Sequence, residues 1–159
     1  MSTRGHALRE SLIRETRHFL AEAILFNQQL ADRLGINPID YQVLNLLDLF
    51  GPATPGDLAQ LTGLSSGGMT VVIDRLEQAR YIVRERNPRD RRSVIVRFAA
   101  APKRRIAMLY KPVLALMDKV LAAYDLEQLG IVNDFFMRSN RAHEPGRRKE
   151  LKRRKRVVP

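Results

Sequence analysis

Residues 64–98 read LSSGGMTVVIDRLEQARYIVRERNPRDRRSVIVRF, and this stretch decides the fold. Ser65 stands where a helix N-cap is expected. The helix it opens runs to about Ala79, and its apolar residues Met69, Val72, Ile73 and Leu76 keep the i, i+3, i+4, i+7 spacing of one buried stripe. After Arg80 the period changes from helix to strand. Residues 81–86 and 94–98 are short β-rich runs, and Asn87-Pro88-Arg89-Asp90 between them is turn chemistry, which predicts a hairpin with a polar tip. Seven arginines fall between residues 80 and 97, against two acids.

Working outward, Thr54-Pro55-Gly56-Asp57 carries the start signals of a short helix with Leu58, Ala59 and Leu61 facing in, closed by Thr62-Gly63-Leu64. Asn37-Pro38 is an earlier start of the same kind, with Asp40 near the positive helix end and Ile39, Val43, Leu44, Leu47 and Phe50 on the apolar face. Residues 7–34 read as one long amphipathic helix through Leu8, Leu12, Phe19, Leu20, Ala23, Ile24, Leu30 and Leu34, stopped by Gly35. Downstream, Pro102 is expected to open a fifth helix, with Ile106, Leu109, Val113, Leu116, Met117, Val120 and Leu121 inward and Pro112 kinking or splitting it. Asp125 with Gln128 forms a capping box for a sixth helix carrying Leu126, Leu129, Val132, Phe135, Phe136 and Met137.

The expected fold class is therefore mainly α with a small β-hairpin wing: a winged helix-turn-helix with N- and C-terminal dimerisation helices. The expected organisation is an N-terminal dimerisation helix over 1–36, the winged helix-turn-helix over 37–100, C-terminal dimerisation helices over 101–143 and a basic tail over 144–159. The dimer follows from the apolar excess. The first and last helices carry more apolar surface than a three-helix winged core can cover, and a twofold pair is the commonest way to cover it.

The 159 residues hold 28 Lys and Arg against 17 Asp and Glu, a formal charge of +11. A balance this basic points to a polyanion. Residues 144–159 supply eight of the basic and two of the acidic side chains, so about half the excess sits in the folded body. The chain has no cysteine, which excludes thiol catalysis, zinc-thiolate sites and disulfides. His6, His18 and His143 show no metal-ligand spacing. There is no phosphate-cradling glycine loop and no nucleophile elbow, so neither an enzyme nor a cofactor is expected. No apolar run reaches membrane-spanning length and the charged N-terminus is unlike a signal peptide, so a cytoplasmic protein is expected.

Helix-turn-helix proteins present the N-terminal part of the second helix to base edges in the major groove. Here that part is Ser65-Ser66-Gly67-Gly68, with hydroxyls for phosphate or base contacts and glycines that let the backbone come close. With the apolar stripe turned in, the outward residues also include Thr70, Val71, Asp74 and Arg75. Val71 is an apolar residue on a face that should be wet. It is either a surface valine without a role or a methyl contact for thymine. The tip Arg89-Asp90-Arg91-Arg92 suits the negative potential of a narrow minor groove, with Asp90 paired to an arginine. RNA binding is disfavoured, because aromatics are 6% of the chain and Tyr81 and Phe98 sit at the hairpin ends, where core packing is their expected role.

Residues 64–77 and 82–98 resemble the multiple antibiotic resistance regulator (MarR) family. The likeness extends in element order over residues 7–143 and is dense over about 54–98. It implies a homodimeric regulator whose recognition helix enters the major groove and whose wing carries an Asp-x-Arg motif, here Asp90-Arg91-Arg92. Arg92 is by that resemblance the minor-groove residue, Asp90 its orienter, and Arg75 a match to a common recognition-helix arginine. The DNA-contacting set is then Ser65, Ser66, Gly67, Gly68, Thr70, Val71, Arg75, Arg89, Asp90, Arg91 and Arg92.

The family also implies a small anionic aromatic effector, for which the matched motifs include no residue. Arg14, Arg17 and His18 form a basic turn that reads as a solvated helix face. Four departures stand out: Arg80 where the family has a helix-ending glycine, Val71 in place of a polar or basic residue, Ala99-Ala100 before the fifth helix, and the basic tail. The expected function is a sequence-specific regulator that binds a pseudo-palindromic operator as a homodimer, with half-sites roughly 10 bp apart. The alternative is a nonspecific architectural DNA-binding protein driven by the basic wing and tail.

Overall fold

The computed structural model describes residues 3–88 and 92–154, the stretch 143–154 through its backbone only. Arg89, Asp90 and Arg91, expected at the hairpin tip, lie outside the described residues. The element order is α1 (Thr3–Leu34), α2 (Pro38–Phe50), α3 (Pro55–Thr62), α4 (Ser66–Gln78), β1 (Ile82–Arg86), β2 (Val94–Phe98), α5 (Ala100–Leu121) and α6 (Leu126–Arg154). The fold is mainly helical with one antiparallel hairpin, a winged helix-turn-helix flanked in sequence by long terminal helices.

Residues 1–45 form one compact unit. Within it α1 ends at Gly35, whose φ of +66° is the left-handed geometry that closes a helix at low cost only in glycine. The Ile36 amide donates back to the Ala31 carbonyl at 3.0 Å. Asn37 then caps α2: its Oδ1 accepts from the Ile39 amide at 2.9 Å and its carbonyl from the Tyr41 amide at 3.0 Å. Leu30, Ala31, Leu34, Asp40, Tyr41, Val43 and Leu44 are buried, whereas Leu8, Leu12, Phe19, Leu20 and Ile24 of the same α1 stripe are exposed in the single chain.

Residues 46–159 form the second unit. Thr54 and Asp57 make a reciprocal capping box at the start of α3, and Gly63, at φ +74°, ends it. Helix α3 lies on α4, α4 on β1, and α3 on β2. The core between them holds Leu58, Ala59, Met69, Val72, Ile73, Leu76, Tyr81, Ile82, Val96 and Phe98. All four residues of the α4 stripe are buried, as the spacing predicts, and so are the two hairpin aromatics.

The hairpin pairs Ile82 with Phe98 through to Arg86 with Val94. It gains a third backbone partner that the sequence does not announce. Ala53 and Val96 exchange hydrogen bonds at 3.1 and 2.8 Å, so the segment before α3 is stitched to the wing.

Several expectations change in detail. Pro112 does not split α5, which runs unbroken across it. Helix α5 starts at Ala100 rather than at Pro102. Its N-cap Ala99 has no side-chain cap, and the Ala99 amide donates to the Tyr81 carbonyl at 2.9 Å. Phe50 is exposed instead of inward, and Ile106 is the buried residue of α5, while Leu116 and Val120 stay exposed. The Asp125–Gln128 capping box forms in both directions at 2.9 and 3.0 Å. From there the α6 backbone stays helical to Arg154, into the stretch where the sequence reading begins a tail.

The end of α4 is the least ordinary backbone in the chain. Among the described residues Arg80 is the non-glycine with positive φ, +61°. The Arg80 amide donates to the Glu77 carbonyl and the Tyr81 amide to the Leu76 carbonyl, both at 2.9 Å. That is the two-bond pattern of a Schellman cap, completed by the buried pair Leu76 and Tyr81. Arginine thus takes the geometry that glycine takes cheaply, at a cost of about 1–2 kcal/mol. Replacing Arg80 with glycine removes that strain but adds backbone entropy to the unfolded chain. A net gain of about 0.5–1 kcal/mol is expected, read as a Tm rise of roughly 1–4 °C in thermal denaturation. An unchanged or lower Tm would show that the cap carries no strain.

Candidate nucleic-acid interface

The outward side of α4 is built by its own N-terminus. Ser65 Oγ accepts from the Gly68 amide at 3.1 Å, which fixes the first turn and leaves the Ser65 hydroxyl proton available to an acceptor outside. The two glycines have different reasons to be glycine. A Cβ on Gly68 would stand 3.3 Å from Ser65 Oγ, so the cap itself restricts that position. A Cβ on Gly67 would meet nothing within 4 Å, so no contact inside the chain demands its smallness. Ser65, Ser66, Gly67, Thr70, Val71 and Arg75 are all exposed, and Gly68 is half-buried. Thr70 spends its hydroxyl proton on the Ser66 carbonyl at 3.0 Å. Val71 is 57% exposed, beside the buried Val72.

The wing is tied to this helix by charge. The Arg84 guanidinium on β1 bonds the Asp74 carboxylate on α4 and lies 3.2 Å from that of Glu77, one turn on. Asp74, whose charge would repel a phosphate backbone, is therefore neutralised from the wing. A second pair stiffens the hairpin. Arg97 Nε donates to both Glu85 oxygens at 3.0 Å, and its terminal nitrogen donates at 2.9 Å. The register explains the pair: Val83 faces Arg97 and Glu85 faces Ile95, so Glu85 and Arg97 are diagonal neighbours on one face. The hairpin closes where the Asn87 amide donates to the Ser93 carbonyl at 3.0 Å and Asn87 Nδ2 to Ser93 Oγ at 2.9 Å. Arg92, next to Ser93, is exposed. The spacing puts the α4 residues on one face, but the pairs of Arg84 and Arg97 are not evident from sequence alone. The signal available for the second was the alternation of charge along the two paired strands.

Among the described residues no group of His, Asp or Glu could hold a metal ion, and no helix is long and apolar enough to cross a membrane.

The hydrogen bonds from Arg97 hold the Glu85 carboxyl below its ordinary value, and Glu85 in turn raises Arg97. A carboxylate depressed in the folded state stabilises above its unfolded pKa, and that contribution is lost as pH falls through the lower folded value. Carboxyl-carbon NMR titration should therefore show Glu85 titrating below the ordinary glutamate midpoint, and Arg97→Gln should return it upward. A midpoint unmoved by Arg97→Gln would mean that the pair does not cause the shift.

The model of the MarR family matches residues 34–93. The HTH-type transcriptional regulator YcgE of Bacillus subtilis is 35% identical over 137 residues, which cover 85% of this chain and 89% of that protein. Among solved structures, a MarR family protein from Bacillus stearothermophilus matches with a TM-score of 0.64 at 20% identity, over 90% of this chain and 98% of its own. A transcriptional regulator from Thermotoga maritima matches at 0.62 and 20%, over 86% and 96%. The two structures share the fold and the closer relative shares the sequence: the chain belongs to the MarR family of transcriptional regulators.

Proposed function

We propose that this chain is a sequence-specific transcriptional regulator that binds a pseudo-palindromic operator in double-stranded DNA as a homodimer, and that it is not an enzyme. The observation that carries the reading is the outer face of α4, a capped helix on which Ser65, Ser66, Gly67, Thr70, Val71 and Arg75 are exposed and whose two acids, Asp74 and Glu77, are both engaged by Arg84 of the wing. A face of that shape enters a major groove without an unpaired negative charge. Ser65, Ser66, Gly67, Gly68, Thr70, Val71 and Arg75 belong to the major-groove contact. Arg92, with Asp90 orienting it and Arg89 and Arg91 beside it, belongs to the minor groove. Release by a small anionic aromatic effector is supported by the family resemblance alone.

The division of labour that supports this reading assigns residues 1–36 and 101–143 to pairing, 37–100 to DNA and 144–159 to a basic extension. Pairing is favoured by the exposed apolar residues of the terminal helices: Leu8, Leu12, Phe19 and Leu20 on α1, Leu116 and Val120 on α5, Phe135, Phe136 and Met137 on α6. Apolar faces of this extent are covered in soluble proteins by a partner.

The deciding experiment is selection of bound duplexes from a random pool, followed by fluorescence anisotropy over a salt series. An enriched pseudo-palindrome that persists at moderate salt is expected. Binding with no enriched motif and a steep salt dependence would instead support a nonspecific architectural protein. Arg92→Ala should weaken binding to the selected duplex more than it destabilises the fold, and a loss of thermal stability matching the loss of binding would count against a contact role. In analytical ultracentrifugation, the full chain should sediment as a dimer and a chain lacking residues 1–20 should not. A truncated chain that stays dimeric would remove α1 from the pairing surface.

A further inference from the structure

We propose that Val71 reads base identity in each half-site by apolar contact with a thymine C5-methyl group, so that the operator carries a thymine whose methyl is part of recognition. This rests on α4 being the major-groove helix. Val71 stands 57% exposed in the second turn of α4, opposite the buried stripe Met69, Val72, Ile73 and Leu76. Arg75, one turn on, is the exposed basic neighbour on this face, and the remaining neighbours offer little that competes with Val71. Gly67, one turn earlier, carries no side chain, and nothing crowds that position. Thr70 has its hydroxyl proton bound to the Ser66 carbonyl at 3.0 Å. Asp74, three residues on, is held by Arg84. The surface presented around Val71 is thus an isopropyl group beside bare backbone, with Thr70 and Asp74 engaged within the chain and the basic Arg75 one turn on.

The chemistry of the groove selects the partner. Every base edge there offers hydrogen-bond donors or acceptors, and thymine alone adds a methyl group. Pressing an isopropyl group on the amino group of cytosine, or on the acceptors of guanine, strips water from a polar group and returns no hydrogen bond. Pressing it on the thymine methyl buries two apolar groups against each other. Val71 therefore discriminates twice, by contact with thymine and by the desolvation cost at other bases. Removing one buried methyl corresponds to about a fourfold loss of affinity per half-site.

The test uses the full chain and the tightest duplex from the selection. Each thymine is replaced in turn by deoxyuridine, which keeps the base pair and O4 and lacks only the methyl. Dissociation constants are measured by fluorescence anisotropy for the unsubstituted chain and for Val71→Ala. One thymine per half-site should, when replaced, weaken the unsubstituted chain about fourfold, and the same replacement should leave Val71→Ala unaffected. Putting 5-methylcytosine at that position should bind better than cytosine for the unsubstituted chain alone. Tm should be no lower for Val71→Ala, because Val71 is outside the core and alanine has the higher helix propensity. If deoxyuridine has no effect anywhere, or penalises both proteins equally, the proposal fails while the major-groove reading stands. If no duplex is enriched, the major-groove reading fails and takes this proposal with it.

Discussion

The turn at Arg80 and Tyr81 is the constraint on which the joining of α4 to the wing depends. Its two backbone bonds reverse the chain at the end of α4, and the burial of Tyr81 against the same core as Leu76 holds β1 alongside the helix it has just left. Arg84 then comes level with Asp74 and Glu77 and can bond both. Exposed ion pairs by themselves contribute little to stability. This one matters for geometry, because it joins the helix that faces outward to the strand that carries the wing. The strain accepted at Arg80 thus lies between the two elements that the proposed function assigns to DNA contact.

The terminal helices follow a different logic. Their ends are made in different ways: Gly35 closes α1 in left-handed geometry, α5 starts after Ala99 without a side-chain cap, and Asp125 with Gln128 forms a reciprocal box before α6. Yet α1 is buried only at its C-terminal end, around Leu30, Ala31 and Leu34, and α5 only at Ile106. Helices that long, with apolar stripes facing water, gain most of their stability from packing rather than from propensity. In the proposed homodimer the second copy supplies that packing, so folding of these helices and pairing of the chains become one equilibrium.

Much of this was legible because the signals are local. N-caps at Asn37, Thr54, Ser65 and Asp125 act within three residues, and the stripe on α4 repeats every turn; the structure has the caps bonded and the stripe buried. What escaped was nonlocal or depended on a missing partner. The bridge between Ala53 and Val96 joins segments far apart in sequence. The reach of Arg84 to Asp74 requires knowing how the turn between them is folded. Phe50 carried the right period for an inward residue but stands exposed, because periodicity names a face and not what covers it. Pro112 was expected to kink or split α5. The helix is not split there, since one missing amide is a smaller loss than ending a helix of this length.

Net charge and specificity must come from different parts of such a molecule. A charge of +11 attracts any duplex, and the attraction weakens as salt rises whatever the base sequence. It sets how fast and how tightly DNA is found, but it cannot rank one site above another. Ranking needs short-range groups whose fit differs between bases, and on α4 the charged candidates are partly removed from that task by Arg84, which engages Asp74 and Glu77. An uncharged residue on the outer face is then the natural place for discrimination, since its contact is insensitive to salt and absent wherever the matching methyl is absent. A basic body that concentrates DNA and an apolar point that chooses among sites are compatible in one molecule because they act over different distances.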